Sequence, residues 1–291
     1  MSPISVPATL RLALPKGRMQ DNILSLFRDA GVSIRLGART YRPSISLQSV
    51  DVKVLKPRNV VEMLDIGSRD LGFAGADLVS EHSAELVEVL DTKLDPVQIV
   101  AAAPPALLSD GALPQRPLRV ASEYAGIAQA WIVARGCDDR LVRSYGATEV
   151  FPPDDADFII DNTATGSTLA ANGLKIIDTL MRSTTRLYAS RAAWSDPDRR
   201  QRIADLSLIL SSVLEARRRV MVEINVPAAA LESLVSILPC LRQPTVATLH
   251  DGSGFAVKAA VPRDQLPALL PRVRACGGTD IVVSRIDQLV P

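Results

Sequence analysis

A chain of 291 residues with 47% hydrophobic content exceeds one ordinary core, and a formal net charge of +1 offers no basic field to nucleic acid. Aromatic residues make up only 4%, too few for base-stacking platforms, and no apolar run approaches the roughly 20 residues that cross a bilayer. The opening MSPISVPATL lacks the basic and apolar regions of an export signal, so a cytoplasmic, multi-domain protein is expected. Two histidines leave little for a zinc site or a Ser-His-Asp triad, and Cys137, Cys240 and Cys276, without metal-ligand spacing, read as reduced thiols.

Strand-like and helix-like segments alternate along the chain, the pattern of an α/β protein. Residues 10–14 read as a strand, 19–30 as an amphipathic helix stopped by Gly31, and 50–55 as an alternating strand. A helix over 57–66 and a buried strand over 71–74 follow. Pro104, Pro105, Pro114 and Pro117 then mark a crossing between lobes. The next unit reads as strand 118–122, helix 125–135, strand 141–145 and strand 157–160. Strands at 175–178 and 185–189 precede a long helical pattern over 197–217 that returns to the first lobe. The last part has strand 220–226, helix 228–238, strands 245–249 and 255–261, helix 263–276 and strand 280–286. That βαββαβ order is a ferredoxin-like unit, with Asp251-Gly252-Ser253-Gly254 as its hairpin turn.

The most informative segment is DNTATGSTLAANGL, residues 161–174. The apolar run Phe158-Ile159-Ile160 ends in Asp161, small and hydroxyl residues follow, and a short helical pattern begins at Leu169. A strand, loop and helix start of this kind aims backbone N–H groups and hydroxyls at one place, which suits an anion. Gly166 allows close backbone approach, and Asp161 is placed to accept hydrogen bonds from sugar hydroxyls. A phosphorylated sugar fits both halves, although a Ser/Thr helix cap also explains the string. Lys16 and Arg18 lie in a Pro-Lys-Gly-Arg turn after the first strand, at the carboxyl edge where α/β sheets bind ligands.

The segment resembles the loop of phosphoribosyltransferases that holds the 5-phosphate of phosphoribosyl pyrophosphate (PRPP). Its ending, TL, two residues, then NGL, resembles one family, the ATP phosphoribosyltransferases of histidine biosynthesis. LRLALPKGRMQDNILSLFRDAGV is similar to that family's opening strand, basic loop and helix, and DLGFAGADLVSE at 70–81 to its second signature. The collinear resemblance runs from about Leu10 to the end of the chain and includes the regulatory tail of the long form. It implies two lobes like those of periplasmic binding proteins: 1–104 with 185–217 returning to it, and 105–184 carrying the PRPP loop. A ferredoxin-like regulatory domain occupies 218–291.

The resemblance also implies roles. Thr163, Ala164, Thr165, Gly166, Ser167 and Thr168 are expected at the 5-phosphate, Asp161 at the ribose hydroxyls or a magnesium water, and Glu149 facing the substrate. Lys16 and Arg18 are assigned to pyrophosphate or triphosphate oxygens, with Arg58 a weaker candidate for the same duty. Gly75 and Asp77 shape the adenine side, unless Asp77 merely caps the helix that follows. Mg²⁺ is expected as a cofactor held mainly by the phosphates of ATP and PRPP, without a dedicated protein cage. Asn225, Thr245 and Thr279 fall where L-histidine would bind as allosteric inhibitor, and a homo-oligomer from dimer to hexamer is implied. Phe151-Pro152-Pro153-Asp154-Asp155 is shorter and more acidic than the family's usual stretch, so the loop beside the ribose site is expected to differ in shape. The alternatives are a two-lobed solute-binding module without catalysis, and the short form of the enzyme, which lacks the tail. Neither G-x-G-x-x-G nor G-x-x-x-x-G-K-[ST] occurs, which disfavours a dehydrogenase or P-loop ATPase.

Overall fold

The structure is a computed structural model that describes residues 9–37 and 41–290; the export-signal reading rests on the first ten residues, of which 1–8 lie outside the described residues. By its contacts the chain forms two compact units, Met1–Leu24 with Ser33–Ala204, and Ser25–Val32 with Asp205–Pro291.

The first unit is built in the order β1 (Leu10–Pro15), α1 (Arg18–Asp29), β2 (Ile34–Arg35), β3 (Ser44–Ile45), β4 (Val50–Leu55), α2 (Pro57–Asp65), β5 (Leu71–Gly75), α3 (Ala76–Glu81) and β6 (Val87–Ala103). It continues with β7 (Arg119–Ser122), α4 (Ala125–Arg135), β8 (Arg140–Arg143), β9 (Phe158–Thr163), α5 (Ser167–Ala171), β10 (Lys175–Ala189), α6 (Arg191–Ser195) and α7 (Pro197–Arg218). The division between units falls inside α1 and α7.

Its eight-stranded sheet has the order β4-β1-β5-β10-β6-β9-β7-β8. β4, β1 and β5 form one parallel triplet and β9, β7 and β8 another. β6 and β10 lie between them, antiparallel to each other and to the flanking strands. Each triplet with its helices is one lobe, and the β6–β10 ribbon belongs to both. β5 is buried along its whole length, so it needs no polar alternation. On one face Ile99, Ala101 and Phe158 pack with Ala128 and Ile132 of α4; on the other, Val100, Ala102 and Ile159 pack with Leu169 of α5.

The ribbon departs from the sequence reading. Residues 175–178 and 185–189 are the two ends of one strand, and β6 was not expected at all, because Asp91, Lys93, Asp95 and Pro96 interrupt its apolar pattern. Those polar residues sit where the ribbon passes from lobe to lobe. Pairing is irregular there, with register shifts around Thr185 and left-handed φ at Lys93 (59°) and Asp95 (49°). Side chains bridge the gap: Thr92 Oγ1 donates to the Thr185 carbonyl (2.5 Å), Thr185 Oγ1 to Asp95 (2.6 Å) and Thr184 Oγ1 to Asp91 (2.7 Å).

In the second unit the remainder of α7 leads to β11 (Arg219–Pro227), α8 (Leu231–Ile237), β12 (Thr245–Thr248), β13 (Gly254–Pro262), α9 (Leu266–Ala275) and β14 (Thr279–Arg285). The antiparallel order β12-β13-β11-β14 is that of a ferredoxin-like sheet, as the βαββαβ pattern implied. Alternate residues of β11 and β13, among them Val222, Ile224, Val257 and Val261, pack with Leu234 and Val273 from the helices. By its contacts this unit also takes in Ser25–Val32 and the end of α7 from Asp205, while its sheet begins with β11 at Arg219.

A buried charge anchors the first lobe. Asp70, fully buried before β5, accepts from the Arg11 backbone N–H (2.8 Å), from the Arg11 guanidinium (2.7 and 3.0 Å) and from Arg199 (2.8 Å). Burial pushes its carboxyl up, but the hydrogen bonds from Arg11 and the charges of Arg11 and Arg199 outweigh it and hold the group below the usual carboxylate range. A depressed folded value stabilises the protein above the unfolded pKa of about 3.9, and the contribution is lost as pH falls through the folded value. Both arginines are partly open to solvent, so Asp70→Asn is expected to cost about 2–3 kcal/mol at pH 7, below the range for a fully buried pair. Urea unfolding checks this, and the gap to the unsubstituted protein should shrink below about pH 4.

Candidate functional site

The carboxyl ends of β1, β5, β7 and β9 all deliver polar residues to the space between the lobes, where open α/β sheets bind ligands. A cavity of ≈190 Å³ lies there. Lys16 and Arg18 line it from the turn after β1, Gly75 and Asp77 from the β5–α3 junction, Tyr124 and Asn162 from the second lobe, and Asp95 and Ser183 to Thr185 from the ribbon. The left-handed Gly17 (φ 96°) turns the chain sharply between Lys16 and Arg18, and Lys16 Nζ stands 5.3 Å over the Tyr41 ring.

Asp77 is in the first turn of α3, yet its carboxylate is used across the cleft rather than as a cap. One oxygen accepts from Ser183 Oγ (2.5 Å) and the other from the Tyr124 hydroxyl (2.9 Å). The Tyr124 oxygen in turn accepts from Asn162 Nδ2 (3.0 Å). Burial, reinforced by the Asp77 charge, pushes the Tyr124 phenol well above its ordinary range, so it remains a donor. A Cβ at Gly75 would stand 2.2 Å from Asp77 Oδ1, so a larger residue there would force the carboxylate to shift from its place beside Ser183. Arg58 does not line the cavity. Its guanidinium donates to the Glu123 carbonyl (2.9 Å) from the opposite lobe, while Glu81 accepts from the Ile127 N–H (3.1 Å).

The loop after β9 is shaped by its own hydroxyls. Thr163 Oγ1 accepts from the Gly166 N–H (2.8 Å), and the Thr165 and Ser167 hydroxyls pair at 2.9 Å. Gly166 is left-handed (φ 79°) and precedes α5, whose i→i−4 bonding begins with Ala170 N–H to the Gly166 carbonyl. Ala164, Thr165, Ser167 and Thr168 are exposed, while the Ser167 N–H donates to Thr165 Oγ1 (3.4 Å) within the loop. Asp161 is half-buried behind them. Burial raises its pKa to about 6, with the charges of Glu123 and Glu149 adding to the effect and hydrogen bonds from Asn162 and Thr148 opposing it. Glu149 sits in a short 3-10 turn beside the buried Thr148, whose hydroxyl pairs with that of Ser144 (2.8 Å).

Sequence reasoning therefore named Lys16, Arg18, Gly75 and Asp77, which the structure gathers round one cavity, and Asp161, Glu149 and 163–168, which it groups at the end of β9. It missed Tyr124, Asn162, Ser183 and Asp95. Asn162 was legible within DNTATG and Tyr124 in ASEYAG after β7; Ser183 was not, because the middle of β10 read as a break. In the second unit Asn225 and Thr279 meet across β11 and β14, Asn225 donating to Asp280 (3.1 Å) and the Thr279 hydroxyl to the Asn225 carbonyl (3.4 Å). Thr245 is on β12, two strands from Asn225. Among the described residues no group of three or more His, Cys, Asp or Glu could hold a metal ion, and no helix is long and apolar enough to cross a membrane.

Comparison with known proteins fits this architecture. The family model described as ATP phosphoribosyltransferase matches residues 56–212, and its C-terminal domain matches 216–288. ATP phosphoribosyltransferase of Chlorobium chlorochromatii is 34% identical over 97% of this chain and 97% of its own, and that of Pelotomaculum thermopropionicum 32% identical over 97% and 99%. Among solved structures, the ATP phosphoribosyl transferase (HisG:HisZ) complex from Thermotoga maritima matches with a TM-score of 0.64 at 24% identity, covering 71% of this chain and 99% of that one. Two βα lobes about a cleft, followed by a ferredoxin-like tail, are thus the scaffold of a glycosyltransferase. More narrowly, the chain belongs to the ATP phosphoribosyltransferase family of histidine biosynthesis. The tail model match also separates it from forms that lack that domain.

Tyr124→Phe removes the hydroxyl that joins Asp77 to Asn162 and leaves buried Asp77 with one side-chain donor fewer. The expected loss is about 1–2 kcal/mol of unfolding free energy, measured by denaturant titration.

Proposed function

We propose that the protein transfers the phosphoribosyl group of PRPP to ring nitrogen 1 of the adenine of ATP, releasing pyrophosphate, as the first step of histidine biosynthesis. The observation that carries this reading is the exposed, hydroxyl-rich loop 163–168 at the end of β9, with Asp161 behind it, on the second lobe of a cleft whose first lobe presents Lys16 and Arg18. Nitrogen 1 attacks the anomeric carbon with its lone pair, the bond from that carbon to pyrophosphate breaks, and pyrophosphate departs with the electron pair. The nitrogen carries no proton, so attack needs no strong base, in keeping with a chain that has two histidines. The work lies in orienting two polyanions and neutralising the leaving group. Thr163 to Thr168 hold the 5-phosphate, Asp161 accepts from ribose hydroxyls, and Lys16 and Arg18 meet pyrophosphate or triphosphate oxygens. Arg58 holds the lobes together through Glu123 and acts on the phosphates only indirectly.

Magnesium enters with the substrates' phosphates. The described residues offer no cage of three or more carboxylates, so the ion would be held mainly by those phosphates, with Asp161 meeting one of its waters. Bound there, it would supply charge neutralisation for the departing pyrophosphate. The C-terminal unit is assigned to inhibition by L-histidine through Asn225, Thr245 and Thr279. Open edge strands with exposed Val246, Val282 and Val283 support assembly into a homo-oligomer, up to a hexamer, in the cytoplasm.

Gly166→Val is expected to raise the KM for PRPP at least about tenfold while the far-ultraviolet dichroism is unchanged, since a branched side chain at φ 79° would be strained and crowd the phosphate. Steady-state assay with ATP, PRPP and Mg²⁺, with pyrophosphatase present, measures it; an unchanged KM removes the loop from the site. The PRPP-dependent rate should fall as pH drops through about 6, where Asp161 takes up a proton. A rate that stays flat from pH 7 to 5 would separate Asp161 from the reaction. Asn225→Ala should weaken inhibition by histidine without changing turnover in its absence.

A further inference from the structure

Six arginines line two grooves of the second unit, of ≈700 and ≈590 Å³, that share Arg217 and Arg263 as walls. Three of them need no special explanation. Arg28 lies in the last turn of α1 and Arg217 and Arg218 in that of α7, where cations complement the helix dipole. The other three are brought together by the register of the sheet. Arg219 opens β11 opposite Pro262, the residue before Arg263, and Arg285 ends β14 opposite Val220. One end of the β13-β11-β14 triplet is thus ringed by guanidinium groups.

Neutralisation is incomplete. Arg217 pairs with Asp29 (2.6 Å), and Glu215 serves both Arg218 (3.3 Å) and Arg219 (3.8 Å). Among the described residues Arg28, Arg263 and Arg285 have no ion-pair partner, and the Arg219 Nε is buried without a hydrogen-bond acceptor. Asp264 and Asp287 are the remaining carboxylates of the lining, so six cations face four anions, an excess of two. Clustered guanidinium forks with unmet donors suit the tetrahedral oxygens of phosphate better than a single carboxylate.

We propose that these grooves form an anion-binding site of the second unit, additional to the cleft of the first, for a ligand that carries two linked phosphate groups. Free pyrophosphate and the phosphate tail of a nucleotide share that chemistry. The test is amide hydrogen exchange on the full-length protein, titrated separately with pyrophosphate and with ADP. Protection is expected in residues 28–32, 213–219 and 263–266, apart from any protection of 161–169 by binding in the cleft. In the double variant Arg263→Ala/Arg285→Ala the apparent affinity read from the second-unit segments should fall at least about tenfold, with that read from 161–169 unchanged. Protection by pyrophosphate alone would identify the free anion, and protection by ADP as well would show that an esterified tail suffices. No protection of these segments by either probe, or protection undiminished in the folded double variant, would overturn the proposal. Neither result depends on whether the cleft is catalytic.

Discussion

The pairing of β6 with β10 is the constraint on which the first unit depends. Each lobe supplies only three parallel strands, too few to enclose both faces of a core, and each is completed by antiparallel stretches of the same two strands. One hydrophobic cluster therefore runs from Ala13 and Val60 in the first lobe to Phe158 and Ile132 in the second. The same two strands pass beneath the cleft, so the elements that join the lobes also form its floor. Asp95 and Thr185, which replace a missing stretch of ladder, line the cavity for that reason.

Charge is divided across the cleft. The first lobe contributes Lys16 and Arg18 on an exposed turn, whereas Glu123, Glu149 and Asp161 cluster on the second. A substrate whose two ends differ in their need for cations and for hydroxyl acceptors would be oriented by that division alone. Each of these hydrogen bonds across the gap joins one acidic or basic side chain to a neutral or backbone group: Tyr124 donates to Asp77, Arg58 to a carbonyl, and the Ile127 N–H to Glu81. Parting the lobes at these contacts leaves Asp77, Arg58 and Glu81 each one hydrogen bond poorer, so water or substrate must take the lost partner's place.

Much of this was legible from residue order. Apolar blocks ending in Asp161 and at Gly75, the turn at Gly17 and the βαββαβ rhythm of the tail all mark local events that a few adjacent residues determine. The ribbon was not legible, because its identity as two long strands comes from partners about 90 positions away along the chain, and its own pattern is broken by Asp, Lys and Pro. Hidden with it was Ser183, whose partner Asp77 is 106 positions away. Tyr124 could be placed at the carboxyl end of β7 from ASEYAG, but only packing reveals that its hydroxyl bridges the lobes. The arginine ring of the second unit was invisible for a similar reason, since 219, 263 and 285 meet only through sheet register.

The unequal lengths of the ribbon's strands have a consequence for how this chain can change over time. β6 uses 17 residues where β10 uses 15, and the difference is absorbed by register shifts at five places along the ladder, three of them between Ser183 and Tyr188. Because side chains alternate from face to face, dropping Gln98 from the regular part of β6 would turn Val100 and Ala102 onto the side now filled by Ile99 and Ala101, and both packed layers of the second lobe would be lost at once. Surface connections such as the Pro-rich segment after Ala103 can gain or lose residues without that effect. The ribbon therefore acts as a counting rule: its residue number, more than the identity of any one residue in it, is the property that descent must preserve.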